Sequence, residues 1–210
     1  MRHERGPIQA VISDMDGTLT TVASPWRYVH ERLGVWEAHG APILRAYRAG
    51  RITYADFCRH DLDLWMSHGL RLADVEAILG EIPLNPHLAG LADRLAACGM
   101  PVGIVSTGFT VVAERIQAAS GHDRWHVAAN RLFEDADGRL EIDLAVVDGE
   151  GDPRSKAAVF GELCVEMGVA PSEVLALGDG PTDEQMFRLA GASVWLLSPD
   201  CLLKALEYVP

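Results

Sequence analysis

The sequence predicts an α/β fold, a parallel sheet with an inserted helical domain, on three observations. Short apolar runs at 8–13, 102–106, 174–177 and 193–197 do not alternate, as expected of strands covered on both faces. Helical stretches at about 86–98, 110–119, 155–167 and 182–190 separate most of them, which is the βα rhythm of a parallel sheet. The interval from about 21 to 83 breaks that rhythm and reads as helices alone.

The first strand rests on Ile8, Ala10, Val11 and Ile12. The insert then divides into helices at roughly 26–33, 35–49, 53–66 and 71–79. Thr53 suits an N-cap, with Asp56 three residues on in the looser form of a capping box. Leu72, Val75, Ile78 and Leu79 recur at helical spacing. Both connections of the insert, near 20–21 and 82–83, fall close to the end of the first strand. A cap of residues 21–83 over a core of 1–20 and 84–210 is therefore expected, covering that strand end as a lid. Farther on, Asp135-Ala136-Asp137-Gly138 reads as a turn between 131–133 and 140–142, a hairpin beside the sheet.

Composition narrows the function classes. A chain of 210 residues, 49% hydrophobic, builds a substantial core and is not disordered. A formal charge of -12 opposes non-specific nucleic-acid binding. Four cysteines without a CxxC pair read as small buried hydrophobes in a reducing compartment. The opening residues 1–5 lack the apolar segment of a secretory signal, and no run approaches the roughly 18 apolar residues of a membrane span. A cytoplasmic monomer or homodimer with a small-molecule partner, and no nucleic-acid or membrane partner, is expected.

Chemistry-bearing residues follow the strands. Asp14-Met15-Asp16-Gly17-Thr18 comes directly after the first, where open α/β sheets bind ligands. A carboxylate at Asp14 can attack phosphorus and split one hydrolysis into two easier steps. Asp16, two residues on, is placed to protonate a leaving alcohol and then to deprotonate water. Gly17 lets the backbone turn closely around a phosphoryl group, and Thr18 steadies that turn or caps the next segment. The plainer alternative is an Asx turn and a helix cap. Ser106-Thr107-Gly108, after the second strand, offers a hydroxyl and N–H groups to an anion, or only a helix cap.

Lys156 opens a helix, an unfavourable place for a cation unless carboxylates and a phosphate lie near; an ordinary surface lysine is the alternative. Arg154 is a weaker candidate for the same task. Gly178-Asp179-Gly180-Pro181-Thr182-Asp183 is a tight acidic turn after the third strand. Asp14, Asp179 and the backbone carbonyl of Asp16 form a hard-oxygen set suited to Mg²⁺, with Asp183 supporting the metal's waters or Lys156. His60, Asp61, Asp63 and His68 lack the i,i+4 spacing of a helical zinc site.

With these motifs in view, the chain resembles the haloacid dehalogenase-like (HAD) hydrolase superfamily in its phosphoserine-phosphatase-like branch. DMDGT at 14–18, STG at 106–108, Lys156 and GDGPTD at 178–183 carry the resemblance. It implies a Rossmann-like core with a C1-type helical cap, and Mg²⁺-dependent phosphomonoester hydrolysis of a small phosphorylated metabolite. It also implies Asp14 as nucleophile, Asp16 as acid/base, Ser106 and Lys156 as phosphoryl ligands, and Asp179 with Asp183 at the metal. Phosphoserine phosphatase proper, a phosphomutase or phosphotransferase, and a non-catalytic phosphate-binding protein remain alternatives. Two positions depart from the branch: Ala23 stands where a substrate-reading Glu is usual, and Asp61, with Arg59 nearby, where a cap arginine is usual. Asp61 is read as a partner for a substrate amine or hydroxyl, or for Arg59. Among the cap aromatics, Trp26 is the one expected to line a pocket.

Overall fold

The computed structural model describes residues 7–122 and 124–209, so the opening residues 1–5 lie outside it. Strand β1 (Ala10–Ser13) lies between β2 (Val102–Phe109) and β5 (Val174–Gly178), parallel to both. Strand β3 (Trp125–Glu134) extends the sheet beyond β2, and β6 (Ala192–Trp195) extends it beyond β5, again in parallel. Strand β4 (Leu140–Asp143) closes the β3 edge antiparallel, giving the order β4-β3-β2-β1-β5-β6. The order reverses beside β1, so the carboxyl ends of β1, β2 and β5 form the crevice where such sheets bind ligands.

Four details differ from the sequence reading. The expected 131–142 hairpin forms, but as one edge of the main sheet rather than as a separate piece beside it. Its first arm is the end of β3, which pairs with β2 from Trp125 to Ala128 before turning to β4. Strand β2 runs through Ser106-Thr107-Gly108, with irregular register between Val105 and Phe109. Strand β6 alternates buried and exposed, because an edge strand here covers only one face. The expected helix at 182–190 is a 3-10 turn, Pro181–Asp183, followed by one short helix, Glu184–Phe187.

The insert forms α1 (Pro25–Arg32), a π turn (Trp36–Gly40), α2 (Ala41–Arg48), α3 (Tyr54–Ser67) and α4 (Leu72–Gly80). Ser24 caps α1, and Thr53 with Asp56 forms the expected capping box of α3. The expected helix at 35–49 divides because Pro42 stands at the start of α2 without an N–H, and the Trp36 ring lies over Gly40. A Cβ at Gly40 would meet that ring at 2.5 Å. Thr20 and Leu84 form an antiparallel bridge, and Thr21 N–H donates to Pro83 at 3.0 Å, so the two connections are tied together.

The insert does not keep a core of its own. Trp26, Phe57 and Trp65 belong to the same apolar cluster as Phe109 and Ile116 on one face of the sheet. Ile12, Val105, Phe160 and Leu163 pack the other face against α7 (Lys156–Met167). Among the thiols, Cys58 and Cys164 are buried as expected, but Cys98 is exposed and Cys201 half-buried. No helix among the described residues is long and apolar enough to cross a membrane.

Candidate active site

Asp14 follows the last residue of β1, and its N–H donates to Leu177 of β5 at 2.8 Å. That bond fixes the carboxylate at the switch point of the sheet. Lys156, the first residue of α7, reaches Asp14 Oδ1 at 2.9 Å and Asp183 Oδ1 at 2.6 Å. Its side chain is 4% exposed, so the cation at a helix N-terminus is held by two buried carboxylates. Burial opposes the charge on Lys156, but Asp14 and Asp183 outweigh it and raise its pKa. Burial pushes Asp14 well above the ordinary carboxylate range; Lys156 opposes this, while Asp183 and Asp16 add to it.

Asp16 lies across from Ser106. The Ser106 hydroxyl donates to Asp16 Oδ2 at 2.8 Å and accepts the Gly108 N–H at 2.8 Å. The other oxygen, Oδ1, is buried with no hydrogen-bond partner. Burial raises Asp16 to about 7, against the opposing pull of Ser106 and Lys156. Gly108 fits here because it has no side chain: a Cβ would stand 2.2 Å from Asp16 Oδ2. Thr107 presents its carbonyl to Asn130 and Tyr54.

The acidic turn after β5 is closed by Asp183. Its Oδ2 accepts the N–H groups of Asp179 and Gly180 at 3.0 and 2.9 Å, while Oδ1 takes Lys156. Both oxygens are thus committed within the turn. Oxygens of Asp14, Asp179 and Asp183 lie within 4.8 Å of one another, a donor set fit for a divalent cation. Gly17, at φ +80°, brings the first loop against that turn; a Cβ there would stand 2.2 Å from Asp179 Oδ2. Thr18 is fully buried and donates toward Asp179 Oδ1 at 3.4 Å, so it faces the acidic turn.

Between insert and core lies a cavity of about 570 Å³. Thr107, Asp148 and Thr182 form its core side; Thr107 and Thr182 adjoin Ser106 and Asp183 in the chain, while Asp14, Asp16 and Lys156 do not line it. Trp26 lines it, as expected, while packed against Phe57, Trp65 and Phe109. Ala23 lines it too. Arg59 and Asp61 do not. Arg59 is exposed on the far side of α3, beside Arg139 and Ile142. Asp61 is buried inside the insert, 3.4 Å from His30 Nε2 and 3.1 Å from His60 Nδ1, and faces these rings rather than the cavity. Arg154 turns away to Asp152.

A family model for haloacid dehalogenase-like hydrolases matches residues 8–191, a span that includes Asp14, Asp16, Ser106, Lys156, Asp179 and Asp183. The chain belongs to the haloacid dehalogenase-like hydrolases. Among curated relatives, it is 29% identical to a phosphoserine phosphatase of Idiomarina loihiensis, over 99% of this chain and 89% of that one. A phosphoserine phosphatase of Streptomyces coelicolor is 35% identical over 60% of this chain and 30% of that one. Among solved structures, a phospho-aspartyl intermediate analogue of phosphoserine phosphatase shares the fold with a TM-score of 0.73 at 21% identity, over 98% of this chain and all of that one.

Three groups at the site of this HAD hydrolase were not assigned from sequence. Asn130, fully buried, donates to the Thr107 carbonyl at 3.0 Å and accepts from Val146 N–H at 2.9 Å, pinning the Ser106-Thr107-Gly108 segment. The signal was there: a lone amide within the apolar run of β3. Tyr47 donates its hydroxyl to the Asp148 carbonyl, and Tyr54 donates to Thr107 at 3.3 Å. These two phenols tie the insert to the core, and nothing in their spacing distinguishes them from packing aromatics.

Proposed function

We propose that this HAD hydrolase is a Mg²⁺-dependent phosphomonoesterase that releases inorganic phosphate from a small phosphorylated metabolite through an aspartyl-phosphate on Asp14. The supporting observation is the pairing of two buried carboxylates with different partners. Asp14 is paired to the Lys156 ammonium at 2.9 Å, while Asp16 is raised by burial and keeps Oδ1 unpartnered.

In this reading a carboxylate oxygen of Asp14 attacks phosphorus as the ester P–O bond breaks. Asp16 gives its proton to the departing alkoxide. Because Ser106 donates to Oδ2, the proton resides on Oδ1. Water then attacks the acyl-phosphate, Asp16 takes one of its protons, and Asp14 is regenerated as phosphate leaves. Lys156 and the Ser106 loop hold the phosphoryl oxygens. Asp14, Asp179 and the Asp16 carbonyl hold Mg²⁺, with Asp183 steadying the turn. The cation, when bound, offsets charge on the phosphoryl group. Residues 21–83 act as the cap that excludes water.

The test is phosphate release from an aryl phosphate, with Mg²⁺ and with a chelator. Mg²⁺-dependent release that disappears in Asp14→Asn is expected. An isomeric phosphate ester in place of free phosphate contradicts hydrolysis.

A further inference from the structure

Resting on the phosphatase reading, we propose that the alcohol of the substrate carries an uncharged ring system, seated against the aromatic wall of the cap, rather than an amino acid. Size is the first argument. The cavity of about 570 Å³ lies in the roughly 300–1,000 Å³ range of sites for drug-sized ligands. A serine leaving group has seven heavy atoms; at roughly 30 Å³ each, the volume of a water, it would fill well under half.

The wall is the second argument. Trp26, Tyr28, Trp36, Tyr47, Tyr54 and Phe57 all line the cavity. Tyr47, Tyr54 and Phe57 form one continuous aromatic surface, with centroids 5.6–6.0 Å apart. Tyr28, Trp36, Tyr47 and Tyr54 keep part of their surface open, which leaves ring faces available for stacking.

Charge is the third. Arg27 is paired to Glu31 at 2.7 Å and lies over the Trp36 ring, so its charge is already balanced. Arg48 and Asp148, the other charged lining residues, are of opposite sign. Ala23 presents only a methyl group, and Arg59 and Asp61 face elsewhere. The charges on the wall balance, and six of its lining residues are aromatic.

The experiment measures kcat/KM with Mg²⁺ for ethyl phosphate, O-phosphoserine, 2-phenylethyl phosphate and 2-(1-naphthyl)ethyl phosphate. All are unactivated primary esters, so differences report the pocket rather than the leaving group. p-Nitrophenyl phosphate tests phosphatase activity itself. The ring-bearing esters should exceed phosphoserine by about tenfold or more. In Trp36→Ala the ratio of naphthylethyl to ethyl phosphate should fall severalfold. Phosphoserine equal to or better than the ring esters, with p-nitrophenyl phosphate turned over, overturns the ring assignment and leaves the phosphatase reading standing. No phosphate from any ester, p-nitrophenyl phosphate included, overturns both. The wild-type series decides the matter even if the Trp36 variant fails to fold.

Discussion

Lys156 is the residue on which the site's electrostatics turn. It holds Asp14 and Asp183 together at 2.9 and 2.6 Å, away from water. Lys156→Ala leaves two buried carboxylates without their cation and should cost about 3–5 kcal/mol of unfolding free energy in urea titration. A loss of under about 1 kcal/mol would mean that water reaches the pair. Gly17 is the second critical position. Gly17→Ala combines φ +80° with a Cβ 2.2 Å from Asp179 Oδ2. The backbone part costs about 1–3 kcal/mol, and the clash must also displace Asp179. Weaker Mg²⁺ binding by calorimetry, together with a lower Tm, is expected; unchanged Mg²⁺ affinity would separate Asp179 from the cation. The core carboxylates, Ser106 and Lys156 were legible in sequence because a parallel sheet sends its strand ends to one edge, so four separate motifs had one place to meet. Asp61 and Arg59 were not, because the face a helical residue takes depends on what packs against it. Asp61 faces His30 of α1, and Arg59 faces solvent beside β4.

At the level of elements, α1 and α3 are joined by a buried pair, His30 and Asp61. Burial alone would lower the His30 pKa, but Asp61 and the Trp26 carbonyl outweigh it, and the net shift is upward from 6.5. A histidine raised on folding binds its proton more tightly in the native state. Its contribution is complete below the unfolded value of about 6.5 and is lost as pH rises through the folded value. Wild-type Tm should therefore fall as pH rises above about 6.5, and that fall should be smaller in Asp61→Asn. Parallel Tm profiles for the two proteins would remove the pair from cap stability. Strands β1, β2 and β5 were readable because both faces are covered and their sequences are apolar throughout. The hairpin's place at the sheet edge and the break at Pro42 were not, since the first depends on distant pairing and the second on Trp36 lying over Gly40.

Across the whole molecule, the cap shares its core with the catalytic domain rather than resting on it. The Trp26 ring packs at a tilt against Phe109, centroids 4.7 Å apart, and the Tyr47 and Tyr54 hydroxyls reach core carbonyls. Any movement of the insert away from the core would break these polar ties as well as apolar contact. Tyr47→Phe keeps the ring and deletes one tie of about 1 kcal/mol, so KM should change about fivefold while Tm falls by no more than about 2–4 °C. An unchanged KM would mean that the phenol does not hold the cap in the working state. Sequence pattern located the helical interval, but not this shared core, because helical periodicity says which face is apolar and not what it meets. The central claim is that Asp14 accepts the phosphoryl group, and the direct measurement is acid quench during Mg²⁺-dependent turnover, borohydride reduction and peptide mass spectrometry. Reduction of an aspartyl-phosphate leaves homoserine, which should be found at position 14 and be absent without substrate. Phosphate release with Asp14 unmodified, or homoserine at another aspartate, would contradict the account.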